Sequence, residues 1–390
     1  MSDIAPAMWE KLPAGETAAI ASAPSLTYWQ DARRRLWANK PAMAGITFII
    51  LLILAALFGP FFSPFTYYDQ NLKLANIPPA FDTYTVTDGQ GASTRFFLNA
   101  SNFNLYEVDS GGHVLGILRG ERKDMIKKAQ PFKFGDQTVT LDYSKLPAKL
   151  VLPDGAELRP SGWSWNMTYL FGTDQLGRDV LVRQLYGARI SLAVAFVATL
   201  VNFFIGIFYG GIAGYMGGKT DAVMMRFVEI ISTIPLTLYV ILLMVVLNSG
   251  LISIVIAIGS VFWVDMARIV RGQILSLKQQ DYVAAARTMG ASTSRILTRH
   301  LLPNAIGPII VTLTMLIPSA IFIESFMSFI GLGVTPPLAS WGTLTSEAVE
   351  TLRAYPHQLF FPAAAISLTM FAFNFLGDGL RDALDPRFRK

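Results

Sequence analysis

Uncharged apolar runs separated by basic clusters organise this chain. Residues 42–62 carry no charge over 21 positions, and residues 190–218 none over 29. Residues 230–264 are uncharged for 35, which is long for one crossing, and Asn248-Ser249-Gly250 places a turn signal inside them. A membrane helix needs about 20 mostly apolar residues. The pattern therefore predicts two spans there, one beginning near Met224 and the other ending near Arg268. Residues 301–323 and 359–376 bring the number to six. Six apolar stretches of this length would be unusual in a soluble core.

The distribution of Lys and Arg orients these spans. With the N-terminus inside, the inner segments 1–40, 219–229, 265–300 and 378–390 carry 5, 2, 6 and 4 basic residues, while the short outer segments 247–250 and 331–358 carry only Arg353. The reverse orientation inverts the ratio, so both termini are expected in the cytoplasm. The polar start, with Arg33-Arg34-Arg35 just before the first span, does not resemble a cleavable signal. That span is expected to be retained, with the tail loosely ordered up to Leu26.

Between spans one and two lie residues 63–178, charge-balanced and soluble in character. Short β-like runs occur at 95–98, 104–108, 113–118 and 137–141. Asp109-Ser110-Gly111-Gly112 and Gly135-Asp136 are turn signals between such runs, and 121–128 reads as one short helix. The expected organisation is a cytoplasmic tail (1–40), a first transmembrane helix (41–62), an extracytoplasmic insert (63–178), a five-helix core (179–377) and a second cytoplasmic tail (378–390). The fold class is thus an all-α membrane protein of six transmembrane helices with a β-rich insert between helices 1 and 2. The insert is either a small domain with a binding role or a long structured loop without one.

Composition agrees: 52% hydrophobic, 15% charged and mean hydropathy +0.43 over 390 residues. Absent cysteine excludes disulfides, Cys-ligated metals and a cysteine nucleophile. His113, His300 and His357 are too scattered for a metal cluster. A net charge of +5 is too small and dispersed for a nucleic-acid partner.

Residues 265–303 form the most informative segment. Asp281 opens an Ala-rich helix that runs to Met289, where small side chains permit close approach of another surface. Gly290 suits a left-handed helix end. A second helix carries Arg295 and Arg299 on adjacent turns, and Pro303 opens span five. A solvated basic loop would also satisfy the charge rule. In this segment Ala285-Ala286, Gly290 and Leu302-Pro303 resemble the EAA loop of inner-membrane subunits of ABC importers. In that family the loop forms a coupling helix that docks on a separate ATPase. Its opening acid is Ala284 here. Further motifs resemble the C-type permeases of the dipeptide/oligopeptide/nickel importers. They are Phe171-Gly172-Thr173-Asp174 with Gly177-Arg178-Asp179, Tyr186-Gly187-Ala188-Arg189, Gly214-Tyr215 with Gly217-Gly218-Lys219 and Asp221, Gly331 with Gly333 and Pro336-Pro337, Trp341-Gly342, and Gly377-Asp378-Gly379 with Asp385-Pro386-Arg387. The match is strong over 165–390 and loose over 1–65, and residues 66–164 form an insert larger than is usual.

The resemblance implies a type I ABC importer permease in the bacterial inner membrane, without catalysis of its own and without a cofactor, ATP and Mg belonging to partner subunits. Implied partners are a homologous B-type permease, two ATPase subunits, an external substrate-binding protein and membrane lipid. The implied contact residues for the ATPase are Asp281, Tyr282, Ala284, Ala285, Ala286, Arg287, Gly290, Arg295, Arg299, Leu302 and Pro303. Glu324, an acid in the apolar stretch 321–329, is a candidate gate, or simply a group that reaches water near the membrane interface. Gly218-Lys219-Thr220 fits a loosened phosphate-loop pattern, but a membrane helix precedes it where a strand is needed, so a tight turn is expected. An ion-coupled transporter would usually show inverted repeats, and none is visible. A membrane sensor would need an output domain that the short inner segments leave no room for.

Overall fold

The computed structural model describes residues 27–99, 101–248 and 250–385. The expected disorder up to Leu26, Ser249 of the turn signal, and Pro386-Arg387 of the last motif lie outside them. Helix α1 (Tyr28–Ala38) is started by a capping box between Thr27 and Gln30. Asn39 caps α2 (Lys40–Phe58), which ends in a 3-10 turn to Phe62. After the insert come α3 (Val180–Met216), α4 (Gly218–Thr233), α5 (Leu236–Leu247), α6 (Leu251–Gly259) and α7 (Trp263–Leu277). They are followed by α8 (Asp281–Thr288), α9 (Thr293–Ile296), α10 (Leu302–Phe329), α11 (Trp341–Val349) and α12 (Pro356–Leu384).

Five helical stretches are long and apolar enough to cross a membrane, and a sixth is the pair α4 and α5, bent by 84°. The elbow falls at Ile234-Pro235, where proline lacks the N–H that would continue the helix. The number of crossings is thus five, or six if the bent pair is one span. Tyr28 Oη donates to Leu384 O at 2.9 Å, which brings the start of α1 beside the exit of α12 on one side of the bundle. The expected turn after α5 is present, with Asn248 at φ 66° and α6 starting at Leu251. Pro308 and Pro318 lie inside a continuous α10.

The insert contains β1 (Ala80–Thr87), β2 (Ser93–Asn99), β3 (Asn104–Val108), β4 (Val114–Ile117), β5 (Ala129–Phe134), β6 (Gln137–Asp142), β7 (Lys149–Val151) and β8 (Gly162–Trp165). All pairings are antiparallel, in sheets of order β4-β3-β2-β1-β8 and β5-β6-β7. Alternation along β2 builds both faces. Phe96 stacks on Phe134 of the small sheet at 4.9 Å, and Phe97 stacks on Phe81 at 4.0 Å. The short helix expected at 121–128 is instead a turn. The Asp124 carboxylate accepts from Ile126 and Lys127 N–H, and Lys128 takes φ 51°.

The helical core closes on small residues. Gly206, Gly210 and Gly214, four apart on α3, face Met266, Ala267 and Arg271 of α7. Spacing by four puts them on one stripe, and the missing side chains let the two backbones meet. A Cβ on Gly210 would strike the Ala267 carbonyl, and one on Gly214 would lie 2.9 Å from Arg271 O. Gly210→Val should therefore lower stability by about 1–3 kcal/mol through overpacking, read as a lower Tm in detergent. Gly272→Ala, which meets open space, should leave Tm unchanged or raise it. Equal behaviour of the two would remove the stripe from the account.

Candidate functional site

Three groups of polar residues stand out against this apolar frame. The first joins α7 to α10. Helix α8 turns Val283 and Ala286 into the core while Asp281, Tyr282, Ala284, Ala285, Arg287, Thr288 and Met289 stay exposed. Met289 is 81% exposed. Gly290 takes φ 78° with open space around it, and its N–H bonds Arg287 O at 2.9 Å, ending the helix as its sequence implied. Ser292 caps α9 through Arg295 N–H. Residues 297–301 form a π-helical turn that feeds into α10, because Pro303 offers no N–H to the preceding turn. Arg295, Arg299 and Pro303 are exposed and Leu302 half-buried. Within the expected contact set Ala286 differs from its neighbours: it is 3% exposed and packs inward with Val283.

The second group lies at the opposite end of the bundle, where the insert joins α3. Asp179 caps α3 by accepting from Val182 N–H at 2.7 Å. Gly172 and Gly177, at φ 77° and 71°, let the 172–179 loop fold against 71–77. Thr173 Oγ1 accepts from Ile77 N–H at 2.8 Å, and Gln358 on α12 donates to both Asn76 Oδ1 and Thr173 O at 2.9 Å. At the centre Arg183 Nη1 donates to Asp174 Oδ2 and Glu347 Oε2, each at 2.6 Å, and Arg178 bonds the same two carboxylates at 2.7 and 2.9 Å. Arg183 is 2% exposed. Two cations and two anions share one site, so each neutralises the burial cost of its neighbours. A cavity of about 490 Å³ lies beside it, lined by Tyr68, Gln70, Arg178, Pro336, Leu344 and Glu350 among others.

The third group is Glu324. Its side chain is fully buried on α10 and does not reach water. Ser191 of α3 donates to its Oε2 and Ser328 to its Oε1, both at 2.8 Å. Ser191 Oγ also accepts from Trp341 N–H, and the buried Trp341 indole donates to Gln184 O. These bonds set α11 into the groove between α3 and α10. Sequence reading quoted Asp174 and Arg178 but missed Arg183 and Glu347. The available signal was Arg183, a cation in the first turn of a long apolar helix. Glu347 gave none, since nothing local distinguishes it from Glu350. The expected turn at Lys219 is present: Gly217 and Gly218 take φ 66° and 55° between two helices, with no strand before them.

Comparison with known proteins places these features. Residues 206–390 match the family described as binding-protein-dependent transport system inner membrane component. Residues 27–79 match the N-terminal TM domain of oligopeptide transport permease C. The chain is 40% identical over 366 residues to the oligopeptide transport system permease protein OppC of Bacillus subtilis, covering 94% of this chain and 92% of that one. It is 41% identical over 368 residues to the dipeptide transport system permease protein DppC of the same organism, covering 94% and 88%. With OppC of Escherichia coli K12 the identity is 36% over 361 residues, covering 93% and 92%.

Asp179 offers a test at the second group. Burial pushes its carboxyl up to about 6 from 3.8. A raised carboxyl favours the protonated folded state, so the cost is absent below the ordinary carboxylate range and complete above about pH 6. Asparagine caps a helix as well as aspartate does. Asp179→Asn should therefore raise Tm above pH 6, by an amount that shrinks to nothing near pH 4. A gap independent of pH would mean that charge burial is not the cause. The apolar helices, the matching family models and the aligned relatives converge on one conclusion: this chain belongs to the multi-pass inner-membrane permease subunits of ABC importers of the oligopeptide and dipeptide type.

Proposed function

We propose that this chain forms half of the pathway of an ATP-driven peptide importer, with a homologous B-type permease as the other half. On this reading the side shared by Tyr28 and Leu384 is cytoplasmic and the insert is extracytoplasmic. Two ATPase subunits carry the ATP and Mg, and one of them seats α8. The supporting observation is the form of α8 itself. It is anchored on one face by Val283 and Ala286, exposed on the other, and set between two transmembrane helices that must follow if it moves. The contact face comprises Asp281, Tyr282, Ala284, Ala285 and Met289, with Arg295 and Arg299 beside it. ATP shifts the inward-open and outward-open states only as far as its affinity differs between them. Glu324 acts as a gate on this reading by releasing or holding α11 in its groove. The insert gives the external binding protein a polar surface for weak, reversible docking.

Two experiments test this. A side chain at Gly290 is strained by about 1–2 kcal/mol in the left-handed region. Gly290→Val should therefore distort the end of α8 and lower peptide uptake while membrane insertion stays normal. Ala284→Glu, which supplies the acid more usual in the family, should be tolerated. Wild-type uptake by Gly290→Val would count strongly against α8 as the ATPase seat. Replacing residues 69–159 by a Gly/Ser linker should abolish both uptake and stimulation of ATP turnover by loaded binding protein, in a complex that still assembles. Survival of both would refute docking by the insert, and loss of assembly would assign it a stabilising role instead.

A further inference from the structure

Basic residues beside a membrane span are commonly solvated. Those on α7, on α8 and in the link between them, four in all, are each engaged by the hairpin of α3 and α4. Arg268 Nη2 donates to Ser232 Oγ at 2.7 Å. Arg271 grips Asp221 with two bonds, Nε to Oδ1 at 2.5 Å and Nη2 to Oδ2 at 2.6 Å. Lys278 Nζ donates to Gly214 O at 2.8 Å. The Arg287 guanidinium lies 5.4 Å from the centre of the Tyr215 ring, within cation–π range.

Each contact has its own chemical reason. The last carbonyls of α3 have no helical partner and sit at the negative end of its dipole, which suits the Lys278 ammonium. The Arg271–Asp221 pair has the planar two-bond geometry peculiar to Arg and carboxylate. Its side chains are only 33% and 14% exposed, so water and salt screen it less than a surface pair. Arg287 belongs to α8 itself, and the other three cations lie on or just after α7.

We infer that the 214–221 turn is a second coupling contact, through which displacement of α8 enters α3 directly. This rests on the reading of α8 as the ATPase seat. In the simplest form of that reading, movement passes only to α7 and α10, the helices joined to the loop by the chain. Here Arg271, Lys278 and Arg287 fasten the end of α3 to the same moving segment. Helix α3 is about 55 Å long, and its far end holds Arg183 in the buried ionic network. It therefore joins the ATPase side to the insert side through one continuous rigid element that contacts at both ends can bias. Asp221, Arg271 and Lys278 are positioning residues, since they touch neither nucleotide nor peptide.

The test uses the complete importer in proteoliposomes, with ATP turnover and peptide uptake measured on the same sample. Asp221→Asn is expected to assemble and keep its basal ATP turnover, while peptide imported per ATP falls about fivefold or more. Exchanging the pair, Asp221→Arg with Arg271→Asp, should restore most of the loss. A merely structural role would lower assembly and both activities together without changing their ratio. If Asp221→Asn does not assemble, Lys278→Gln combined with Arg287→Gln decides by the same ratio. A wild-type ratio in the assembling variant overturns the inference. Failure of the unmodified complex to couple ATP to uptake would instead overturn the importer reading itself.

Discussion

Backbone contact between α3 and α7 sets the positions of everything that matters for transport. Lipid supplies no hydrophobic drive for two helices to associate, so they are held by packing and polar contacts. Gly206, Gly210 and Gly214 give that packing its depth. From this seam α7 leads directly into α8, and the last turn of α3 arrives within reach of Lys278. Shifting the stripe by one residue would rotate it by about 100° around α3 and withdraw Gly214 O from its ammonium partner.

Polar groups do the locating where apolar packing cannot. Helix α11 has only nine residues, too few to hold a position by itself. It is fixed at its start by Trp341 and the Ser191–Glu324 bonds and toward its end by Glu347 on Arg178 and Arg183. Removing one partner from such a network leaves a buried charge uncompensated, at about 3–5 kcal/mol. Replacing the whole network by apolar residues would cost far less but would lose the directionality. The two networks are therefore better understood as devices of register than as reserves of stability.

The spans were legible because lipid imposes a length and a polarity that composition alone reveals. Residues 42–62 and 301–323 fall within observed helices, as do 190–216, with Gly217 ending α3. Strands β2, β3, β4 and β6 showed through their alternation. Strand β1 was missed because Asp82 and several threonines mask its pattern, and β8 because its two tryptophans are exposed. The 121–128 turn defeated a helix reading because Asp124 satisfies backbone donors that a helix would use internally. At the functional end, Gly290 was readable because a positive φ selects glycine. The inward packing of Ala286 was not readable, because alanine suits a buried face and an exposed one equally. Arg183 stood out alone, but the pairings Arg183–Glu347 and Arg271–Asp221 were not readable: they join residues 164 and 50 positions apart, and no local pattern records such distances.

The contact between the first helices and the last has a consequence for synthesis. Gly45 lies against Ala372 O and Gly379 against Ala42, so α2 docks into a notch cut in α12. Of the apolar spans, α2 leaves the ribosome before all the others and α12 after them. The first span must therefore wait in the bilayer, with its small-residue face bare, while more than three hundred residues are translated. Its own groove does not exist until α12 has been made. Closure of the bundle on α2 thus follows synthesis of α12, and a nascent chain stalled before residue 356 would present an orphaned helix to the membrane's quality-control proteases.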